Sequence, residues 1–387
     1  MSRSRRWRMG TVVGALATGF ALVTPPGAAA DTAAGLGLDV LADNPGTSPG
    51  FIFVAPKVEQ STTAPSYAEV LDNHGNVVWS HQVPVGQQVT DFREQTYRGE
   101  PVLTWWQGDS LSGAGHGEGT DYIADLRGAV IATVNAGQGL AADQHEFRLT
   151  PQGTALITVY HQVPADLSGV GGPQDGQVFD AIAEEIDVAT GRVLLRWDSL
   201  AHVPLSDSYQ PVPTSASTPY DYFHINAVNL DNDGNLLISA RHTWTVYKVD
   251  RHTGAIIWRL GGKHSDFALG DGARFAWQHN PLPAGPDTLR IFDNESNGTD
   301  TGGPTRIVWI KLDERAHTAT LTRVVQHPEA LSAASQGNAQ ALPNGDTFVG
   351  WGQLGRVSEF DPDGKLLFDA TLPAGYDTYR AYRFPTY

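Results

Sequence analysis

The sequence predicts an all-β fold, a six-bladed β-propeller of four-stranded antiparallel blades filling residues 31–387 as a single domain, and three observations predict it. One hairpin phrase recurs six times along the chain. A second hairpin precedes most of the copies. No stretch carries a convincing 3.6-residue apolar period of the kind an amphipathic helix needs.

The recurring phrase is a run of alternating apolar residues, an Asp, a Gly-containing turn and a second apolar strand that often ends in Trp. Its first copy is Ala68-Glu69-Val70-Leu71-Asp72 followed by Gly75-Asn76-Val77-Val78-Trp79. The later copies centre on Asp125 with Gly128, Asp187 with Gly191, Asp250 with Gly254, Asp313 in a degenerate turn, and Asp361 with Gly364. Successive Asp spacings are 53, 62, 63, 63 and 48 residues. Each copy reads as a hairpin, because Asn, Asp and Gly accept the positive φ that tight turns between alternating strands demand.

The preceding hairpins turn at Tyr97-Arg98-Gly99-Glu100, Thr150-Pro151-Gln152-Gly153, Asp231-Asn232-Asp233-Gly234, Leu282-Pro283-Ala284-Gly285 and Leu342-Pro343-Asn344-Gly345, with a looser first copy around Phe51 to Pro56. Two hairpins supply four strands, and six such units set radially leave only short, protected edges. Seven blades, or five with an irregular cap, are the alternatives. Asp166 to Asp180 and Ser199 to Tyr220 are rich in Gly, Pro, Ser and Thr and fit no strand period. They are expected to be long loops over one face, where binding surfaces usually sit.

Residues 1–30 hold Arg3, Arg5, Arg6 and Arg8, an apolar run from Val12 to Val23, and Ala28-Ala29-Ala30 before Asp31. That order of charged, apolar and small residues reads as a secretory signal, with a retained membrane anchor as the alternative. The chain is expected to be secreted or extracytoplasmic, free or held at the cell wall. Beyond residue 30 the balance is 22 basic to 42 acidic side chains, which repels nucleic acid and anionic lipid. Cysteine is absent, so thiol redox chemistry and cysteine metal sites are excluded.

Aligning the turns puts Asp91, His145, His224, His279 and Asn338 at the starts of the innermost strands, so three consecutive blades each offer a histidine to the axis. The next strands place Trp106, Tyr160, Arg241 and Asn294 at equivalent positions. An arginine, an amide and aromatics beside three imidazoles describe a pocket for an anion attached to an arene. A lone histidine at a strand start is ordinarily structural; three in register across repeats point to function. A three-histidine metal centre is the rival, and Arg241 argues against it, since a fixed cation near a dication costs Coulomb energy. No metal is expected.

Other motifs fall away. Asp231-Asn232-Asp233-Gly234 resembles a calcium loop, yet its twelfth position is His242 rather than Glu. Gly108-Asp109-Ser110-Leu111 lacks the strand-to-helix context of a serine hydrolase, and Gly261-Gly262 reads better as a tight turn between blades than as a dinucleotide motif.

The phrases Asp221-Tyr222-Phe223-His224-Ile225-Asn226, Leu237-Ile238-Ser239-Ala240-Arg241-His242, Ile257-Trp258-Arg259-Leu260-Gly261-Gly262, Gln278-His279 and Phe292-Asp293-Asn294 resemble, in that order, the arylsulfotransferase family, in its short actinobacterial and fungal branch. The likeness continues through Gly337-Asn338-Ala339-Gln340 and Tyr379-Arg380-Ala381-Tyr382-Arg383. The resemblance implies a six-bladed propeller that moves a sulfuryl group from a phenolic sulfate ester to another phenol without a nucleotide donor or any other cofactor. It implies His279 as the nucleophile, by way of a sulfohistidine, with His224 assisting, and Arg241 and His145 as further catalytic groups. Asn338 and Asn294 would bind the sulfuryl oxygens, and Tyr160, Trp106, Phe223 and Trp351 would grip the ring. The expected partners are thus small molecules, an aryl sulfate donor and a phenolic acceptor. The better-known branch carries an extra amino-terminal β-sandwich and a disulfide, and neither is present here, so a monomer is expected. A ligand-binding propeller without turnover, or a cyclase or lyase reusing the histidine pocket, are the alternatives.

Overall fold

The computed structural model describes residues 35–59, 61–110, 115–297 and 302–387. The leader read in residues 1–30 lies outside them. Six antiparallel sheets of four core strands each form the blades of a six-bladed propeller, and among the described residues the only helical turns are five short 3₁₀ segments.

Blades 2 to 6 are sequential. Their innermost strands are Gln88–Tyr97, Phe147–Leu149, Ile225–Leu230, His279–Pro283 and Asn338–Ala341. Blade 1 is not continuous in the chain. The expected first hairpin around Phe51 to Pro56 is instead one strand, Phe51–Lys57, whose inner partner is the carboxy-terminal strand Asp377–Phe384, with Phe53 opposite Tyr382. At the other end of the ring, Asp39–Asp43 adds to the outer edge of blade 6 by pairing with Leu366–Thr371. The first and last described strands therefore both clasp the ring, which local turn signals do not encode.

One apolar cluster fills each gap between neighbouring blades, which is why the strands alternate. In blade 3, Leu156 faces blade 4 while Ile157 faces blade 2; in blade 5, Val308 faces blade 4 while Ile307 faces blade 6. Each blade thus buries both faces, and a one-residue slip would exchange the two clusters.

The segment from Asp166 to Asp180 is only partly a loop. Strands Thr154–Ala165 and Gly176–Asp187 pair over their full length, from Thr154 opposite Asp187 to Ala165 opposite Gly176, so residues 176–180 belong to a hairpin that extends beyond the blade. Ser199 to Tyr220 is irregular, with two 3₁₀ turns, and is tied to the turn between the second and third strands of blade 4 by the Tyr209 N–H donating to the His242 carbonyl and by Tyr209 stacking on Trp244 at 3.9 Å. Gly261 and Gly262, both at positive φ, end the outer strand of blade 4; a Cβ on Gly262 would stand 2.1 Å from Thr245 Oγ1.

The axis is filled rather than open. Arg380, from the closing strand, donates to Asp91 at 3.1 Å and Glu146 at 2.9 Å, and Arg93 meets the same two carboxylates at 3.0 and 2.8 Å. All four side chains are essentially excluded from solvent, so each charge depends on the others.

Asn338 holds this closure in place. Its Nδ2 donates to the Ala381 carbonyl at 2.8 Å and its Oδ1 accepts from the Ala381 N–H at 3.0 Å. Asn338→Ala should leave two buried backbone groups unpaired and cost about 1–3 kcal/mol, lowering the thermal midpoint by several degrees. An unchanged midpoint in differential scanning calorimetry would count against this clasp.

Candidate active site

At the end where the innermost strands begin, bulges interrupt the ladder. Register shifts fall between Thr90 and Arg93, Ile225 and Ala227, and His279 and Leu282. Asp91, His224, Trp277 and Asn280 take left-handed backbone conformations there, with φ of 52°, 54°, 56° and 48°. Non-glycine residues hold such angles only where surrounding packing compels them, and the effect is to turn side chains out of the strand register and over the axis.

The three predicted histidines do converge. The rings of His145 and His224 lie 5.0 Å apart, and Tyr379 sits beside both His145, at 5.4 Å, and His279, at 6.2 Å. Each imidazole has its Nδ1 held by an acceptor. His145 Nδ1 meets Asp143 Oδ2 at 2.5 Å, His224 Nδ1 meets Asp221 Oδ2, and His279 Nδ1 meets Asn294 Oδ1 at 2.8 Å and the Trp277 carbonyl at 2.9 Å. An acceptor at Nδ1 places the proton there and leaves Nε2 as the lone-pair nitrogen. His224 Nε2 is buried without a partner, and His279 Nε2 accepts only the Gln336 N–H at 3.3 Å.

The partners differ in charge. Aspartates back His145 and His224, whereas a neutral amide backs His279. Burial pushes His279 well below the ordinary imidazole range and Arg241 reinforces the shift. His224 is pushed down by burial and by Arg241 as well, and His242 by burial first. All three are neutral near pH 7.

Arg241 is half-buried. Its Nη2 approaches His224 Nδ1 at 3.2 Å and His242 Nε2 at 3.2 Å, and its guanidinium lies 4.2 Å over the Trp277 ring. Asp221, His224 and His242 are close enough together to hold a metal ion. Arg241 already occupies the His242 lone pair, so this donor set does not fit a dication.

The other predicted residues divide. Tyr160 reaches the site: its ring stacks on His116 at 4.2 Å and its hydroxyl donates to the Ile225 carbonyl at 2.8 Å. Asn294 is there but saturated, since Nδ2 donates to the Ala333 and Gln336 carbonyls while Oδ1 holds His279. It positions the imidazole rather than contacting a ligand. Asn338 is consumed by the closing strand, as described above. Trp106 turns into the gap between blades 2 and 3, donating to the Ala142 carbonyl at 2.9 Å in a slot left by Gly108, Gly117 and Gly119, where any Cβ would clash with its ring. Phe223 packs on Trp197 and Tyr247, and Trp351 donates to Ser358 between blades 5 and 6. These three aromatics sit in apolar gaps because full burial there outweighs a place at a wet mouth. Ser110 donates to Gln144 and has no histidine partner among the described residues.

Several site residues carried no repeat signal. His116 is buried with neither ring nitrogen bonded, and Gly115 beside it leaves room over His224 Cε1, where a Cβ would stand 3.4 Å away. Trp277, His242 and Tyr379 complete the wall. An acid two or three residues before a histidine, Asp143 before His145 and Asp221 before His224, was the readable clue to the dyads.

Among known proteins, a family profile described as arylsulfotransferase (ASST) matches residues 93–372. No curated protein matches. A Bacteroides caccae protein of unknown function shares the fold, with a TM-score of 0.53 at 12% identity over 86% of this chain and 98% of its own. A Lactobacillus plantarum protein follows at a TM-score of 0.46 and 13% identity, covering 84% of this chain and 82% of its own.

Because His224, His242 and His279 are neutral when folded but titrate near 6.5 when unfolded, unfolding takes up protons below that pH and stability falls as pH drops. The slope is about 1.4 kcal/mol per pH unit for each such group. His242→Gln should reduce the proton uptake on unfolding at pH 5.5 by about one. Denaturant titrations between pH 6.5 and 5 with the same slope in both proteins would contradict this assignment.

Proposed function

The chain belongs to the arylsulfotransferase family, and from that premise we propose that it is an exported aryl-sulfate sulfotransferase working through a sulfohistidine at His279. The observation that carries the reading is the amide-held, neutral imidazole of His279, whose ring joins the Arg241 guanidinium in one cluster through Tyr379, His145 and His224. The arginine-rich, apolar and small-residue order of the first 30 residues supports export.

In the first half-reaction, His279 Nε2 attacks the sulfur of an aryl sulfate and the sulfur to phenolic oxygen bond breaks. The bonding pair leaves with the oxygen, which takes a proton from His224 Nε2. That imidazole is neutral in the empty site, but a bound sulfate ester brings a negative charge beside Arg241 and shifts His224 toward its protonated form, which Asp221 steadies. In the second half-reaction an acceptor phenol attacks the sulfur, the nitrogen to sulfur bond breaks, and the phenolic proton returns to His224. Protons and electron pairs balance over the cycle, and the two steps at one site give ping-pong kinetics.

Charge gathers on the sulfuryl oxygens in the transition state. Arg241 supplies forked donors for them. His116, whose ring nitrogens have no hydrogen-bond partner among the described residues, is the other group in the cluster with an N–H to donate. Tyr160, Trp277 and Tyr379 supply the aromatic faces for the ring.

Incubating the protein with 4-nitrophenyl sulfate and quenching in alkali should leave a ~80 Da addition on the peptide that contains His279, absent in His279→Asn. Turnover by His279→Asn at the native rate would refute the covalent route. Arg241→Gln should slow 4-nitrophenol release roughly a hundredfold, as loss of one preorganised oxyanion donor does.

A further inference from the structure

The innermost strands begin at the histidine end and finish at the opposite mouth of the channel, where a second polar site is built. A cavity of about 470 Å³ opens there, with Arg93, Arg148, Arg290, Tyr382 and Glu94 in its wall. Arg93 is neutralised by Asp91 and Glu146. Arg148 feels these carboxylates only from beyond direct contact, and burial and Arg93 outweigh them; no carboxylate offsets Arg290. Each spends its Nε on a neutral acceptor, Asn229 Oδ1 at 2.8 Å and the Ala339 carbonyl at 3.1 Å respectively. Neither pairs with a carboxylate among the described residues, where the axial ion pairs belong to Arg93 and Arg380.

Glu94 in the same wall forms no ion pair with either arginine among the described residues, and its Oε2 has no hydrogen-bond partner there. Arg290 is only 4% exposed, and burial together with repulsion from Arg148 and Arg323 pulls its guanidinium down to about 10. A cation held out of water without a counter-charge is costly, and the remaining N–H groups of two neighbouring guanidinium forks can be matched at once by the oxygens of one anion.

We propose that this mouth is a binding site for a free tetrahedral oxyanion, sulfate or phosphate, held between Arg148 and Arg290. The site is separate from the histidine pocket, because the buried network of Arg380, Asp91, Glu146 and Arg93 fills the axis between them. It stands whether or not the histidine pocket transfers sulfuryl groups.

Isothermal titration of the whole protein with sodium sulfate, and separately with phosphate, at constant ionic strength against chloride reads this site. Saturable binding is expected, weakened at least tenfold in Arg148→Gln and in Arg290→Gln and retained in Arg241→Gln, which removes the anion donor of the histidine pocket. Binding that survives both arginine variants, binding lost in Arg241→Gln alone, or no binding at all would overturn the proposal. Should Arg290→Gln not fold, Arg290→Lys keeps the charge and loses the fork. Sulfate binding weakened severalfold in that variant supports the site, and unchanged binding overturns it.

Discussion

The guanidinium of Arg380, stripped of water and shared between Asp91 and Glu146, is the interaction on which the remaining architecture turns. It arrives on the last strand of the chain, so it is in place only once the ring has closed. The same side chain donates to the Asn226 carbonyl, two residues beyond His224, and its neighbour Tyr379 stands between His145 and His279. A buried charge of this kind adds little net stability when satisfied but is expensive when any partner is removed. Closure and the geometry of the histidine end are therefore bound together.

That plug also divides the electrostatics of the molecule. The surface is strongly acidic, yet the axis carries guanidinium groups that reach both of its ends. Exposed carboxylates act through water and salt and fade over about 8 Å, while cations in a low-dielectric channel act at short range on whatever enters. Any anion thus meets a repelling exterior and an attracting interior. Arg241 does this at the histidine end, where Trp277 beneath it offers an aromatic face to the cation and Asp221 acts on it without a direct ion pair among the described residues.

The histidine end distinguishes three like side chains by what touches Nδ1. A carboxylate stabilises the imidazolium and suits an imidazole that gains and loses a proton. An amide stabilises neither form by charge and suits an imidazole that must stay neutral and offer a lone pair. Asn294 therefore sets the orientation of the His279 imidazole while fully buried and saturated by hydrogen bonds.

What the sequence determined by itself was whatever depends on neighbours in the chain. Alternation and Asp-Gly turns gave six units and nearly every strand, because pleat and turn chemistry are local. In-phase repeats brought His145, His224 and His279 to the start of their inner strands, together with Arg241 and Tyr160. Tertiary structure decided the rest. Pairing of Phe51–Lys57 with Asp377–Phe384 joins segments more than 300 residues apart, and no local pattern specifies it. The orientation of Trp106, Phe223 and Trp351 was settled by space between blades, since the same strand position can face a ligand or a gap. His116, Trp277 and the arginines of the far mouth came together only through the radial arrangement, which turns residues distant along the chain into neighbours around an axis.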